Sequence, residues 1–239
     1  MLDELFTKYH SDKGDKAPTG SPPGQFHCYG EAYEKYFLPL KDSELCLLEI
    51  GISINGHEVP SLCAWKDFFP NAKIVGMDIH DYRKLAIERV WITQGDQGDM
   101  EDLLNVSATH GPFDIIIDDG SHYPEHQLVS FGTLFNSLKS NGVYVVEDLH
   151  ILGAMPWSID QRESELFTNI IDYLADNNVI TVEYFKDKWG CFRIAFIKKR
   201  EDKPMNIDIS ISDAGEIVIK AKAIKETDDS GPYGYDGER

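Results

Sequence analysis

The stretch Phe113-Asp114-Ile115-Ile116-Ile117-Asp118-Asp119-Gly120-Ser121-His122 decides how this chain folds. Its apolar residues run without alternation and stop abruptly at acids, a glycine and a histidine. A strand that is apolar at consecutive positions is buried on both faces, as in the centre of a parallel sheet. Val143-Tyr144-Val145-Val146 repeats the pattern and also ends on acids, Glu147-Asp148. These runs predict strands over Phe113–Asp118 and Val143–Glu147. Working outward, similar short apolar runs predict strands over Leu45–Ile50, Lys73–Met77, Val90–Gln94, Ile180–Phe185 and Phe192–Ile197. Amphipathic stretches between them predict helices over Ser61–Phe69, Asp99–Ser107, Glu125–Leu138 and Asp160–Asp176. Strand and helix in alternation imply an α/β chain with a doubly wound, Rossmann-like parallel sheet. Lys186–Cys191 is too short for a crossover, so the last two strands form an antiparallel hairpin.

The flanks read differently. Residues 1–40 form an N-terminal segment of two short helices and a Gly/Pro-rich loop, expected to act as a lid or pocket wall. Residues 41–200 carry the sheet. Residues 201–224 alternate as a β-hairpin appendage turning at Asp213-Ala214-Gly215, and residues 225–239 lack any periodicity and are expected to be a flexible tail.

The chain has 239 residues, 42% of them hydrophobic, which suits one main globular core. It carries 41 acidic against 23 basic residues, a formal charge of −18. Such a surface repels phosphate backbones and anionic membranes, so neither nucleic acid nor a membrane is an expected partner. No apolar run reaches the roughly 18 residues of a membrane span. Met1-Leu2-Asp3-Glu4 is acidic where a secretion signal is basic, and the four scattered cysteines suit a reducing compartment; a cytoplasmic location is expected. A homo-oligomer remains open.

In an open α/β sheet, ligands bind beyond the carboxyl ends of the strands. The first strand ends in Glu49-Ile50-Gly51, where glycine allows close backbone approach; Gly56 follows, but Ser53 stands where a dinucleotide fingerprint has its middle glycine. The second strand ends at Asp78, placed to accept ribose hydroxyls, although an acid there also serves as a cap or solvated turn residue. The third ends in Gln94-Gly95-Asp96-Gln97, polar groups suited to an adenine edge. The acids after the fourth and fifth strands lie on neighbouring tips about 4.8 Å apart. Carboxylates so crowded repel one another unless a cation intervenes, and an all-oxygen set favours Mg²⁺ or Mn²⁺. Alternation turns Asp118 and Asp119 to opposite faces, leaving Asp119 the better ligand. Glu147 and Asp148 reach one ion together only where the strand has opened. His122 sits on the turn beyond Asp119, placed as a general base.

Taken together, these residues resemble the metal-dependent sugar O-methyltransferases that use S-adenosylmethionine, of the mycinamicin and tetracenomycin type. The resemblance runs over roughly residues 8 to 150. It includes Ser11-Asp12-Lys13, Tyr29 with Tyr33 and Phe37, Leu48-Glu49-Ile50-Gly51, Ser61-Leu62 with Trp65, Gly76 with Asp78, Gly95-Asp96-Gln97, the Asp118–His122 run and Glu147-Asp148-Leu149. It departs from the pattern between Ile52 and Pro60. The resemblance implies a class I methyltransferase sheet with its antiparallel ending. It implies Mg²⁺ on Asp119, Glu147 and Asp148, and His122 as the base. Glu49, Gly51, Asp78 and Asp96 then surround the methyl donor, with Gln97 and Asp118 assigned beside them. The acceptor implied is a sugar-containing small molecule: a nucleotide sugar, a glycosylated natural product or a saccharide. Lys13, Lys16 and Arg162 are candidate cations for such an acceptor, though a solvated surface charge is the plainer reading of each. His27, Tyr29 and Tyr33 read equally as pocket wall or core, and Trp157 as lid or core. An NAD-dependent oxidoreductase and a non-catalytic Rossmann-like binding protein are the alternatives.

Overall fold

The computed structural model describes residues 1–15, 26–53, 56–150, 165–186, 192–200, 205–211 and 217–223. Lys16, Trp157, Arg162, the appendage turn and the tail of residues 225–239 lie outside the described residues.

Seven strands form one sheet: β1 (Cys46–Ile50), β2 (Lys73–Asp78), β3 (Val90–Gln94), β4 (Phe113–Asp118), β5 (Leu138–His150), β6 (Ile180–Lys186) and β7 (Phe192–Lys199). Their order is β3-β2-β1-β4-β5-β7-β6. The first five are parallel, and β7 runs antiparallel between β5 and β6, the expected methyltransferase-type ending. The chain builds outward from β1 to β3, then returns to place β4 on the other side of β1. That reversal opens a crevice between the carboxyl ends of β1 and β4, where open α/β sheets bind ligands.

Helices α1 (Leu2–Tyr9), α2 (Gly30–Phe37) and α3 (Pro60–Phe68) cover one face of the sheet. Helices α4 (Met100–His110), α5 (Pro124–Leu134) and α6 (Leu166–Asp176) cover the other. Side-chain alternation sorts the strands between the two cores: Leu47, Ile115, Ile117, Val143 and Val145 face α1–α3, whereas Leu48, Ile116, Tyr144 and Val146 face α4–α6. Strong local signals start the helices. Pro60 and Pro124 occupy the first turns of α3 and α5, where no amide donor is needed, and the Asp99 carboxylate caps α4 by accepting from Glu101 N at 2.8 Å.

The helix expected over Glu125–Leu138 ends at Leu134 and tightens into a 3₁₀ turn, Phe135–Ser137, and β5 already starts at Leu138. Tertiary bonds override the helical pattern here. Asn136 donates to Ile207 O at 2.7 Å and accepts from Ile207 N at 2.9 Å, and Ser137 Oγ pairs with Ser107 Oγ at 2.6 Å. Ile207 belongs to β8 (Met205–Ile211), which pairs with β9 (Ile217–Ala223) as a small antiparallel sheet lying on α5. Among the described residues, no helix is long and apolar enough to cross a membrane.

Candidate functional site

The parity that sorts the core also sorts the acids. Glu49 continues the row of Leu47, Asp119 the row of Ile115 and Ile117, and Glu147 the row of Val143 and Val145, so three carboxylates on adjacent strands face the α1–α3 side. Glu49 pairs in register with Ile117, one step short of the strand tip, and is fully buried beneath the other two. Its Oε2 accepts from Trp65 Nε1 at 3.0 Å.

Lys13 enters among these acids and is 1% exposed, which overturns its reading as a solvated surface charge. Its Nζ contacts Asp119 Oδ2, lies 2.9 Å from Glu147 Oε1, and stands 3.4 Å from Glu49 Oε1. The loop that delivers it is pinned by backbone bonds: His27 N to Asp12 O, Tyr29 N to Lys13 O and Cys28 N to Gly14 O, at 2.8, 2.9 and 3.1 Å. Burial alone would discharge an ammonium, but the charges of Asp119, Glu147 and Glu49 outweigh it and hold Lys13 cationic. Burial acts oppositely on the acids: it pushes Glu49 up to about 7 and Asp119 up to about 6, against the pull of Lys13 in both. Glu147 is raised further, by burial and then by the Asp119 charge, while Tyr33 OH donates to its Oε1.

Strand β5 does not open before its acids; it bulges. Val146 pairs with Ala195 and Leu149 with Arg193, so the register slips between them, and Asp148 takes a left-handed φ of 53°. The slip turns Asp148 toward the crevice while Glu147 stays inward. Tyr29 OH donates to Asp148 Oδ1 at 2.9 Å and His27 Nε2 lies 3.4 Å from Oδ2. Of the two readings the sequence left open, Tyr29 and Tyr33 take the core one: both are buried, and from there their hydroxyls hold acids.

Beyond the strand tips lies a cavity of about 360 Å³, within the usual small-molecule range, whose lining includes Lys13, Gly51, Asp78, Asp96, Asp119 and Asp148. His122, Gln97, Ile52, Ile79, Ser121 and His126 complete much of its wall. Asp78 accepts from Ile52 N at 3.1 Å and His80 N at 2.9 Å, so it shapes the loop after β1 as well as facing the cavity. Asp96 accepts from Gly98 N at 2.7 Å. Gln97 donates to Asp118 Oδ1 at 2.6 Å and accepts from Ser121 N at 2.9 Å, bracing the loop that carries His122. Asp118 is fully buried on the opposite face, held by Gln97 and Ser130 Oγ, and its carboxyl is raised by burial. Thus Glu49, Asp118 and Glu147 are buried and do not line the cavity, whereas Gly51, Asp78, Asp96, Gln97, Asp119, His122 and Asp148 do.

Ligand atoms of Asp119, His122 and Asp148 all lie within 4.8 Å of one another. His122, at φ 59°, places Nε2 4.0 Å from Asp119 Oδ1, and its buried Nδ1 has no hydrogen-bond partner among the described residues. Glu49, Asp119 and Glu147 share the Lys13 ammonium, and Asp148 stands beside them without it; Lys13 is the one lysine or arginine among the described residues in this cluster. This imbalance, with carboxylate oxygens turned to an open cavity, fits a hard dication. Lys13, Tyr33 and Trp65 are the partners that sequence reasoning did not assign to the acids. The available signal was parity: three acids of one face on neighbouring strands require a cation or donors from whatever covers that face.

No protein-family model matches the chain. It is 38% identical over 153 residues to demethylmacrocin O-methyltransferase of Streptomyces fradiae, an alignment covering 62% of this chain and 36% of the relative. It is 40% identical, over the same shares, to 8-demethyl-8-(2-methoxy-alpha-L-rhamnosyl)-tetracenomycin-C 3'-O-methyltransferase of Streptomyces olivaceus. The chain thus spans about a third of the curated relatives it matches. Among solved structures it is similar to the MycE methyltransferase from the mycinamycin biosynthetic pathway in complex with Mg, SAH and mycinamycin VI. The TM-score is 0.67 at 29% identity, covering 83% of this chain and 54% of that one. An O-methyltransferase from Bacillus cereus in complex with SAH, at TM-score 0.53 and 14% identity, shares the fold. The fold is that of class I methyltransferases, and no comparison favours a dehydrogenase or a non-catalytic relative.

Proposed function

We propose that this chain carries an S-adenosylmethionine- and Mg²⁺-dependent O-methyltransferase activity directed at a sugar hydroxyl of a small molecule. The observation that carries the reading is a shared cavity: the strand ends suited to a nucleoside-bearing donor (Gly51, Asp78, Asp96) and the acids suited to a dication (Asp119, Asp148) line the same space. The similarity to sugar O-methyltransferases, one of them solved with Mg, SAH and mycinamycin VI, points to the same chemistry.

In this reading Asp78 accepts from the donor's ribose, with lone pairs left after its two loop bonds, and Ile52 and Ile79 offer apolar surface in the same cavity. Asp119 and Asp148 hold the dication with His122 beside them, while Glu147 supports from below through Lys13 and Tyr33. When bound, the dication supplies Lewis acidity that makes a sugar hydroxyl easier to deprotonate and fixes a neighbouring oxygen. His122 Nε2 takes the hydroxyl proton, with the Asp119 carboxylate 4.0 Å away. The acceptor oxygen forms a bond to the methyl carbon as the carbon–sulfur bond of the sulfonium breaks, leaving a neutral thioether. The rest of the protein's task is alignment of the reacting atoms. The enzyme acts in the cytoplasm, without nucleic acid or membrane, and a homo-oligomer is compatible with this scheme.

A panel of acceptors with labelled methyl donor tests the proposal. Incorporation into glycosides or nucleotide sugars is expected. Incorporation into catechols alone contradicts the sugar assignment, and nicotinamide-cofactor turnover without methyl transfer contradicts the reaction class.

A further inference from the structure

Lys13 is the one described cation buried among the acids of this site, and it comes from outside the sheet, on the loop that follows α1. It contacts the carboxylates of Asp119 and Glu147 and faces Glu49, from three different strands. Breaking a buried ion pair by removing one partner strands the other charge, so the three acids depend on Lys13 for their shared position. Only one Asp119 oxygen is engaged by it. The other turns toward His122, and the Asp148 oxygens are taken by Tyr29 and His27 rather than by Lys13.

We propose that Lys13 is the resident counter-ion of the metal centre: it offsets the charges of Glu49, Asp119 and Glu147 before a dication arrives, and ties the N-terminal segment to one of the proposed metal ligands, Asp119. This rests on the divalent-cation reading of the site. Two consequences follow from charge alone. Without Lys13 the metal-free protein buries acids that must repel one another or take up protons, and either lowers its stability. A dication then gains, because a like charge beside its site is gone, and tighter binding to the folded state gives a larger stabilisation.

The test uses the full chain, with thermal unfolding followed in EDTA and in millimolar Mg²⁺ for wild type, Lys13→Met and the double variant Lys13→Met/Glu49→Gln. In EDTA, Lys13→Met unfolds roughly 10 °C below wild type. Its rise on adding Mg²⁺ is at least twice the wild-type rise, and the double variant recovers at least half of the loss in EDTA. A packing role alone would not produce recovery through a second, charge-removing substitution. An Mg²⁺-induced rise equal to or smaller than that of wild type overturns the proposal. So does a double variant no more stable in EDTA than Lys13→Met. Where Lys13→Met does not fold in either buffer, the double variant decides: folding supports the proposal and failure to fold overturns it. A wild-type protein indifferent to Mg²⁺ sinks the metal reading separately, and the comparison in EDTA still judges Lys13.

Discussion

Gly51 packs so closely on the carbonyl oxygen of Asp119 that any Cβ at position 51 would overlap it. The turn leaving β1 therefore presses directly on the tip of β4, at φ +78°, a conformation that side chains disfavour. In the proposed scheme the same contact joins the donor side of the cavity to the metal side. Gly51→Ala must move one of the two strand ends. The expected result is an unfolding temperature lower by about 5 °C and donor affinity weakened at least tenfold, read by calorimetry. Wild-type donor affinity in Gly51→Ala would separate this turn from the binding site.

Asp148 reaches the cavity because β5 bulges and Asp148 adopts φ 53°. Asparagine tolerates that backbone, so Asp148→Asn removes charge with little strain. Mg²⁺ binding is expected to fall at least tenfold and methyl transfer at least a hundredfold at fixed Mg²⁺, with donor affinity within twofold of wild type. Unchanged Mg²⁺ affinity removes Asp148 from the ligand set.

His122 also sits in the left-handed region, at φ 59°, and asparagine again fits. His122→Asn should reduce turnover by about 10² to 10⁴ while acceptor KM and donor affinity stay within a few-fold. A variant that loses only acceptor affinity would make His122 a binding residue.

Burial pushes the carboxyl of Glu49 up from 4.5 to about 7. An acid whose folded-state value is raised binds more protons folded than unfolded between those limits. Its contribution to stability is complete below about 4.5 and is lost as pH rises through about 7. In EDTA, the wild-type unfolding temperature therefore falls between pH 5 and pH 8 more steeply than that of Glu49→Gln. Parallel slopes for the two proteins would contradict the assignment.

Much of this molecule was legible before its coordinates. Ile115-Ile116-Ile117 and Val143–Val146 announced strands buried on both faces, and the short link before Phe192 fixed the antiparallel ending. The alternation rule also separated Asp119 from Asp118, which the structure places in the cavity and in the opposite core respectively. What escaped was long-range and polar. Nothing local to Ser11-Asp12-Lys13 says that its lysine is buried, because the acids that bury it lie on three strands far along the chain. The bulge at Asp148 depends on a partner strand that follows it in sequence, so the expectation that the strand must open first was replaced by a slip in pairing with β7. The early end of α5 likewise depends on Ile207, contributed by the appendage.

The central claim is that acids gathered at the tips of β4 and β5 hold a dication needed for methyl transfer. It is tested most directly by stripping the protein with EDTA and measuring labelled methyl transfer to a sugar-bearing acceptor before and after Mg²⁺ is restored. Loss of transfer by at least a hundredfold on stripping, with recovery on addition of Mg²⁺ and not of K⁺, is the predicted result. Transfer that continues at full rate in the stripped protein would contradict it.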